Sequence, residues 1–140
     1  MTPWQTPPKA PRSSKTNAAR ARHLHAAAQA LIAACGKRSI PLVRRALRAN
    51  VTLLVDAGGS IPAPRHPTRG APAVAAALIT VMSAHPDAVL TEHEVNALPG
   101  IVMRVGGRVV GVISLGLRGR GISAIWVVLN PDKLTHWNAP

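Results

Sequence analysis

The 140-residue sequence predicts an α+β fold in which about three helices cover a curved antiparallel sheet. Three alternating apolar runs in the last third of the chain, at 102–105, 109–117 and 122–129, predict consecutive strands. Gly-containing connections join these runs, a two-residue turn first and a longer loop second, as expected for antiparallel hairpins. Earlier in the chain, apolar residues recur at three- and four-residue steps, which predicts helices.

The N-terminal part of the sequence predicts a tail followed by a long helix. Residues 1–15 contain Pro, Ser and Lys without periodicity, which is typical of a disordered basic tail. Residues 16–140 then form one domain. Thr16 or Asn17 caps a first helix that ends at Cys35.

The middle of the chain predicts two further helices and two strands. Ser39 caps a second helix. The residues of this helix that face inward are Leu42, Val43, Ala46 and Leu47. A strand follows at 51–56, and the proline-broken stretch 62–67 is compatible only with an edge strand or a loop. Pro72 begins the third helix, and 89–95 is the strand that precedes the last three.

Positive charge is concentrated in the first third of the chain. The net charge is +12, yet ten of the Lys and Arg residues and none of the acids precede Asn50. Such a block either attracts DNA or an acidic protein face, or forms a solubilising surface. Arg44, Arg45 and Arg48 are therefore the predicted contacts, and the sheet is expected to contribute little to them. Because Phe and Tyr are absent, single-stranded nucleic acid is a poor partner, and we expect non-specific DNA contact.

Composition also limits the class of protein. No apolar run approaches the roughly 18 residues of a membrane-spanning helix, and the N-terminus lacks the apolar core of a secretory signal. We therefore expect no membrane partner. Cys35 is the single cysteine, which excludes an internal disulfide and is typical of a cytoplasmic protein. The six His residues have no metal-ligand spacing, so we expect neither a metal nor another cofactor.

Three motifs, in the same order, resemble those of a known family: 56–60 (Asp-Ala-Gly-Gly-Ser), 95–100 (Val-Asn-Ala-Leu-Pro-Gly) and 130–134 (Asn-Pro-Asp-Lys-Leu). They resemble the SnoaL-like cone domains related to nuclear transport factor 2 and ketosteroid isomerase. The match is closer to the C-terminal domain of SigJ-type extracytoplasmic-function sigma factors. In that domain the segment corresponding to the first motif is similar to Asp-Gly-Gly-Gly-Lys, and the one corresponding to the second is similar to Val-Asn-Gly-x-Pro. This sequence departs from those patterns at Ala57, Ser60 and Ala97. The third motif is intact.

This resemblance implies a non-catalytic module of transcription regulation whose partner is RNA polymerase or a sigma factor. The sigma-factor regions that would precede such a domain do not fit into the thirty residues before it. We therefore expect a stand-alone domain and not a complete sigma factor. Cone domains also dimerise through the open sheet face, and the apolar sheet residues here allow a homodimer.

Asp56, Asn96 and Trp126 are the candidate pocket residues. Asp56 ends a strand beside two Gly, where its carboxylate either caps the turn or acts as a general base. Asn96 either points into the cone or stabilises a turn, and Trp126 either fills the core or forms a pocket wall. No second acid pairs with Asp56 in sequence, so we favour a non-enzyme. The alternative is a small-molecule-binding cone enzyme of the isomerase or cyclase type.

The last motif, residues 130–134, is predicted to hold the C-terminus on the sheet first and to contact a partner second. Pro131 stops the last strand because proline cannot donate to the ladder. Asn130 bonds the backbone, and Leu134 returns an apolar group to the core. Asp132 and Lys133 form an ion pair or lock the turn. We call residues 130–134 the closing segment.

Overall fold

A computed structural model describes residues 14–59 and 66–139 of the chain. The helices are α1 (Ser14–Gly36), α2 (Ile40–Arg45) and α3 (Ala71–Ser83). The strands are β1 (Leu47–Asp56), β2 (Thr68–Arg69), β3 (Val89–Val95), β4 (Leu98–Val105), β5 (Arg108–Arg118) and β6 (Gly121–Val128). Two short 3-10 turns, Pro131–Lys133 and Thr135–Trp137, end the chain. The α+β class and the order of elements are confirmed, and β2 is a short edge strand.

The predicted tail lies largely outside the described residues, since only 14 and 15 of its fifteen residues are described, and both belong to α1. The prediction that α2 includes Leu47 is wrong, because the helix ends at Arg45 and Leu47 begins β1. The predicted cap of α2 is confirmed: the Ser39 hydroxyl accepts a hydrogen bond from the backbone N–H of Leu42 at 3.3 Å.

The six strands form one sheet in the order β2-β1-β6-β5-β4-β3. All neighbouring pairs are antiparallel except β1 and β6, which run parallel. The expectation of an antiparallel sheet is therefore wrong for this one pair. The chain leaves the end of β1, passes through β2, α3 and the three strands β3 to β5, and returns with β6 in the direction of β1. Because β1 and β6 run in the same direction, the residues before β1 and the turn before β6 lie at the same end of the sheet.

Tight turns join the last four strands. Gly106 and Gly107 have φ values of 57° and 81°, which confirms the predicted two-residue turn. The predicted longer loop after β5 is instead a second two-residue turn, since Arg118 pairs with Gly121 across it. The turn between β3 and β4 consists of Asn96 and Ala97, and β4 begins directly after it at Leu98.

The sheet has two differently covered faces. The three helices cover one face over a core of small and branched apolar side chains. On the second face, Val95, Val102, Val109 and Val112 form a smaller cluster with Leu134 of the closing segment. The C-terminal residues therefore act as the cover of the second face. No helix in the described part of the chain is long and apolar enough to cross a membrane.

Candidate functional site

The end of β1 and the closing segment are joined through Asp56. Lys133 Nζ donates to Asp56 Oδ2 at 2.5 Å, and the Asn130 side-chain amide donates to Oδ1 at 3.4 Å. The backbone N–H groups of Leu129 and Asn130 both donate to the carbonyl oxygen of Asp56, at 2.6 and 3.0 Å. The first and third of the family-like motifs, 74 residues apart in sequence, therefore form one cluster.

Gly58 makes this approach possible. Its φ is +57°, and a Cβ there would lie only 2.4 Å from Cγ of Asn130. Asn130 in turn accepts a hydrogen bond from the backbone N–H of Asp132 at 3.1 Å, which starts the 3-10 turn of the closing segment. We call Asp56, Gly58, Asn130 and Lys133 the latch cluster.

Residues beyond Lys133 fasten the C-terminus to the second face of the sheet. Leu134 is 4% exposed and packs within the valine cluster. The Asn138 side chain accepts a hydrogen bond from the backbone N–H of Val109 at 2.8 Å and donates one to the carbonyl oxygen of Val109 at 2.9 Å. Its amide group thus makes the pair of hydrogen bonds that the backbone of a neighbouring strand would make with Val109. The ring of Trp137 packs edge-on against His93 with centroids 5.2 Å apart.

The three candidate pocket residues do not meet in one cavity. Asp56 and Trp126 lie on the same face of the sheet, since Trp126 pairs with Leu54 two residues before Asp56. Asn96 has φ +52° and lies exposed in the turn at the opposite end of the sheet, so its amide does not point into the cone. The carboxylate of Asp56 is held by Lys133 and Asn130. Lys133 therefore pairs with Asp56. The predicted alternative, an ion pair between Lys133 and Asp132, is wrong.

A cleft of about 200 Å³ opens beside the closing segment. Its polar lining side chains are those of His85, Arg108 and Asn138, and its apolar lining includes Val109, Leu129 and Leu134. No carboxylate lines it, and none of the three predicted pocket residues does. No local pattern predicts this cleft, because its wall combines a residue after α3, the first residues of β5 and the closing segment.

The buried thiol of Cys35 lies in the helix-side core. Burial raises its pKa to about 11, and the charge of Arg38 opposes that rise only in part. The thiol is therefore protonated at neutral pH and is a poor nucleophile. Within residues 14–59 and 66–139, no three His, Cys, Asp or Glu side chains come close enough together to hold a metal ion.

The predicted contact residues Arg44 and Arg45 form the last turn of α2, and Arg48 follows near the start of β1. All three are exposed. The guanidinium of Arg48 donates to the backbone carbonyl of Arg118 at 3.2 Å. The arginines are thus at the end of the sheet opposite the latch cluster.

Comparison with protein-family models gave no match, and comparison with curated proteins gave none either. Solved structures do match. The extracytoplasmic function sigma factor SigJ of Mycobacterium tuberculosis matches with a TM-score of 0.62 and 22% identity, over 86% of this chain and 48% of SigJ. This chain therefore spans about half the length of SigJ.

Two further matches cover most of both chains. A SnoaL-like protein of unknown function from Burkholderia thailandensis has a TM-score of 0.57 and 14% identity, over 76% of this chain and 92% of that one. A steroid delta-isomerase from Pseudomonas aeruginosa has a TM-score of 0.54 and 20% identity, over 79% of this chain and 82% of that one. These matches show that the chain has the SnoaL-like cone fold, which confirms the fold that the three motifs predict.

Proposed function

We propose that this chain is a non-catalytic interaction module of transcription regulation, which binds RNA polymerase or a sigma factor through the latch cluster. The observation that supports the proposal is the joining of two motifs into one surface cluster. The turn 56–59 and the closing segment are the motifs that resemble the SigJ-type domain, and Asp56, Gly58, Asn130 and Lys133 hold them together. A role in transcription implies a cytoplasmic location.

The exposure of the cluster is compatible with contact to a partner. The Lys133 side chain is 61% exposed and that of Asp56 is 32% exposed. An ion pair this accessible to water contributes less than about 1 kcal/mol to stability. The contribution of this ion pair to stability is therefore too small to explain why Asp56 and Lys133 are both charged residues. A partner surface that excluded water would strengthen the same interactions.

The chemistry of the cluster argues against catalysis at Asp56. Both carboxylate oxygens already accept hydrogen bonds, one from an ammonium group and one from an amide. A general base needs instead a carboxylate within reach of a bound substrate proton. The cleft beside the closing segment has no carboxylate in its lining, so it offers no acid–base pair.

Binding of the purified chain to purified bacterial RNA polymerase, with and without a sigma factor, tests the proposal. The informative variant combines Asp56→Asn with Lys133→Gln. The matched control combines Asp87→Asn with Lys37→Gln, which makes the same charge changes at exposed positions outside the cluster. We expect the first variant to bind at least tenfold more weakly while its melting curve stays close to that of the unaltered chain.

Two results would overturn this proposal. One is recovery of the unaltered chain without polymerase in every mixture. The other is binding of both variants as tightly as the unaltered chain. The control variant should bind within twofold of the unaltered chain, because its substitutions leave the latch cluster intact.

A second candidate function is binding of a small molecule in the cleft. The cleft and the likeness to a steroid delta-isomerase favour it. At about 200 Å³, however, the cleft is smaller than the roughly 300–1,000 Å³ of ordinary ligand sites. A thermal-shift screen with steroids and short-chain carboxylates tests this alternative. A rise in Tm that Arg108→Ala removes would favour it over the polymerase proposal.

A further inference from the structure

Five exposed arginines from three separate segments lie at one end of the sheet. Arg44 and Arg45 end α2, Arg48 lies at the start of β1, and Arg118 and Arg120 flank the turn between β5 and β6. The parallel pairing of β1 with β6 brings these segments together, since Leu47 pairs with Ile122 while Arg118 pairs with Gly121. We call this group of five the arginine end.

One contact ties the segments directly. Arg48 Nη1 donates to the carbonyl oxygen of Arg118 at 3.2 Å. A Cβ at Gly121 would lie 2.6 Å from Cγ of Arg48, so the stem of Arg48 runs against the backbone of the turn. Arg48 is therefore positioned by a backbone carbonyl, and its positive charge is not neutralised by that contact.

The acids of the chain lie at the opposite end of the sheet or near and on its far edge strand, and Glu94 alone of them comes near the turn at the arginine end, three strands away from β6. Asp56 ends β1 at the opposite end of the sheet, where Asp132 also lies. Glu92 and Glu94 are on β3, the far edge strand. Across residues 14–59 and 66–139 the ion pairs are those of Lys133 with Asp56 and of His25 with Glu92, so none of the five arginines forms one.

We propose that the arginine end binds the phosphate backbone of duplex DNA without sequence specificity. Guanidinium groups bond phosphate in a bidentate manner, and clustered cations gain affinity by releasing counterions from DNA. Neighbouring strands lie about 4.8 Å apart, so the step from β1 across β6 to β5 spreads the cations over about 10 Å. That distance is close to the major-groove width of about 12 Å.

The composition of the surface favours duplex DNA over other polyanions. The segments 40–48 and 117–121 contain no aromatic residue, whereas single-strand sites stack bases on aromatic rings. An acidic protein face would require an interface whose centre is apolar and poor in charge. Here five exposed arginines make up most of the surface, and a single exposed large apolar side chain, Ile40, lines a shallow pocket with Arg44 and Arg45.

The sheet contributes more charge to this surface than the composition of the N-terminal block alone predicts. Two of the five cations belong to a hairpin 70 residues beyond the basic N-terminal block. This inference does not rest on the proposed polymerase contact, because it concerns the opposite end of the sheet and is tested without polymerase.

Fluorescence anisotropy of a labelled 20-base-pair duplex of arbitrary sequence, titrated with the full chain at 50 and 200 mM NaCl, tests the inference. The test variant is Arg118→Ala with Arg120→Ala. The control is Arg104→Ala with Arg108→Ala, which removes the same charge at the opposite end of the sheet. Arg118→Lys with Arg120→Lys keeps the charge.

We expect the test variant to raise the Kd about tenfold or more and to make the slope of log K against log salt shallower by about 2, one for each lost contact. The control should stay within twofold, and the lysine variant should retain most of the affinity. Equal losses in the test and control variants would mean that net charge alone acts, which would overturn the proposal. Tighter binding of polyglutamate than of duplex, lost in the same variant, would overturn it in favour of an acidic protein partner.

Discussion

The two ends of β1 differ in how their charges are satisfied. At the C-terminal end, Asp56 is paired with a lysine, an amide and two backbone N–H groups, and Leu134 is buried close by. At the N-terminal end, Arg48 is positioned by a backbone carbonyl among other exposed arginines. The first end is built mainly from contacts within the chain. The second presents charge that a partner can neutralise.

The largest predicted effect is a difference in how much a substitution at each end of the sheet lowers the free energy of unfolding. Leu134→Ala should lower the free energy of unfolding by about 2–5 kcal/mol, because it leaves a cavity in the valine cluster of the second face. Arg120→Ala at the arginine end should change it by less than about 0.5 kcal/mol. Urea unfolding measures both.

Two matched variants refine this first prediction. Lys133→Ala and Asp132→Asn should each cost less than about 1 kcal/mol, since both residues are exposed. If Leu134→Ala were neutral while Lys133→Ala abolished partner binding, the closing segment would be a contact surface first. The predicted order of its two roles would then be wrong.

The next effect concerns the close approach at the latch cluster. Gly58→Ala should destabilise the chain by about 2–4 kcal/mol, because it combines a strained positive φ with a clash against Asn130. Gly59→Ala is the matched control: its φ is +81°, but a Cβ there meets nothing within 4 Å. We expect about 1–2 kcal/mol for that strain alone. Equal unfolding free energies for the two variants would show that Asn130 can move aside.

A smaller effect of opposite sign is expected at the turn between β3 and β4. Ala97 has φ +66°, a conformation that glycine adopts without strain. Ala97→Gly should therefore raise the unfolding free energy by about 0.5–1 kcal/mol, after the greater chain entropy of glycine is subtracted. Ala26→Gly in the exposed middle of α1 should instead lower it by about 1 kcal/mol. Thermal melts that move in the same direction for both variants would contradict this account of the turn.

The smallest effect lies between the two ends, where α1 meets β3. Burial alone would raise the pKa of Glu92, but hydrogen bonds from Gln29 and His25, together with the charge of His25, outweigh it and lower the pKa from 4.5. A carboxylate with a lowered pKa stabilises the fold above its ordinary value, and this contribution disappears as the pH falls through the folded-state value. The stability difference between the unaltered chain and Glu92→Gln should therefore be present at pH 6 and lost at low pH.

Chemical denaturation between pH 6 and pH 2.5 measures this difference. Gln29→Ala removes one of the two donors, so its profile should lie between those of the unaltered chain and Glu92→Gln. Superimposable pH profiles of stability for all three proteins would show that the hydrogen bonds from α1 to the Glu92 carboxylate do not stabilise the fold.

Local signals in the sequence predicted most elements of the fold. The paired glycines at 106 and 107 predict a turn, and Ser39 predicts a helix cap. Both predictions are confirmed because turns and caps depend mainly on neighbouring residues. The parallel pairing of β1 with β6 depends on contacts about 70 residues apart, and no local pattern encodes it. The two motifs of the latch cluster can each be recognised in the sequence, whereas the ion pair that joins them follows from no local pattern.

The arginine end was missed for the same reason. Arg44, Arg45 and Arg48 were predicted from the charge of the N-terminal block, whereas Arg118 and Arg120 joined them only through strand register. Likewise, the sequence leaves open whether Asn96 points into the cone or stabilises a turn, and the hairpin puts it in a turn at the other end of the sheet from Asp56.

The central claim is that the two ends of the sheet bind different partners. The most direct measurement compares the Asp56→Asn/Lys133→Gln and Arg118→Ala/Arg120→Ala variants for binding both to RNA polymerase and to duplex DNA. We predict that the latch-cluster variant loses polymerase and keeps DNA, and that the arginine variant keeps polymerase and loses DNA. Loss of both partners in either variant, with its fold intact by thermal melt, would contradict the claim.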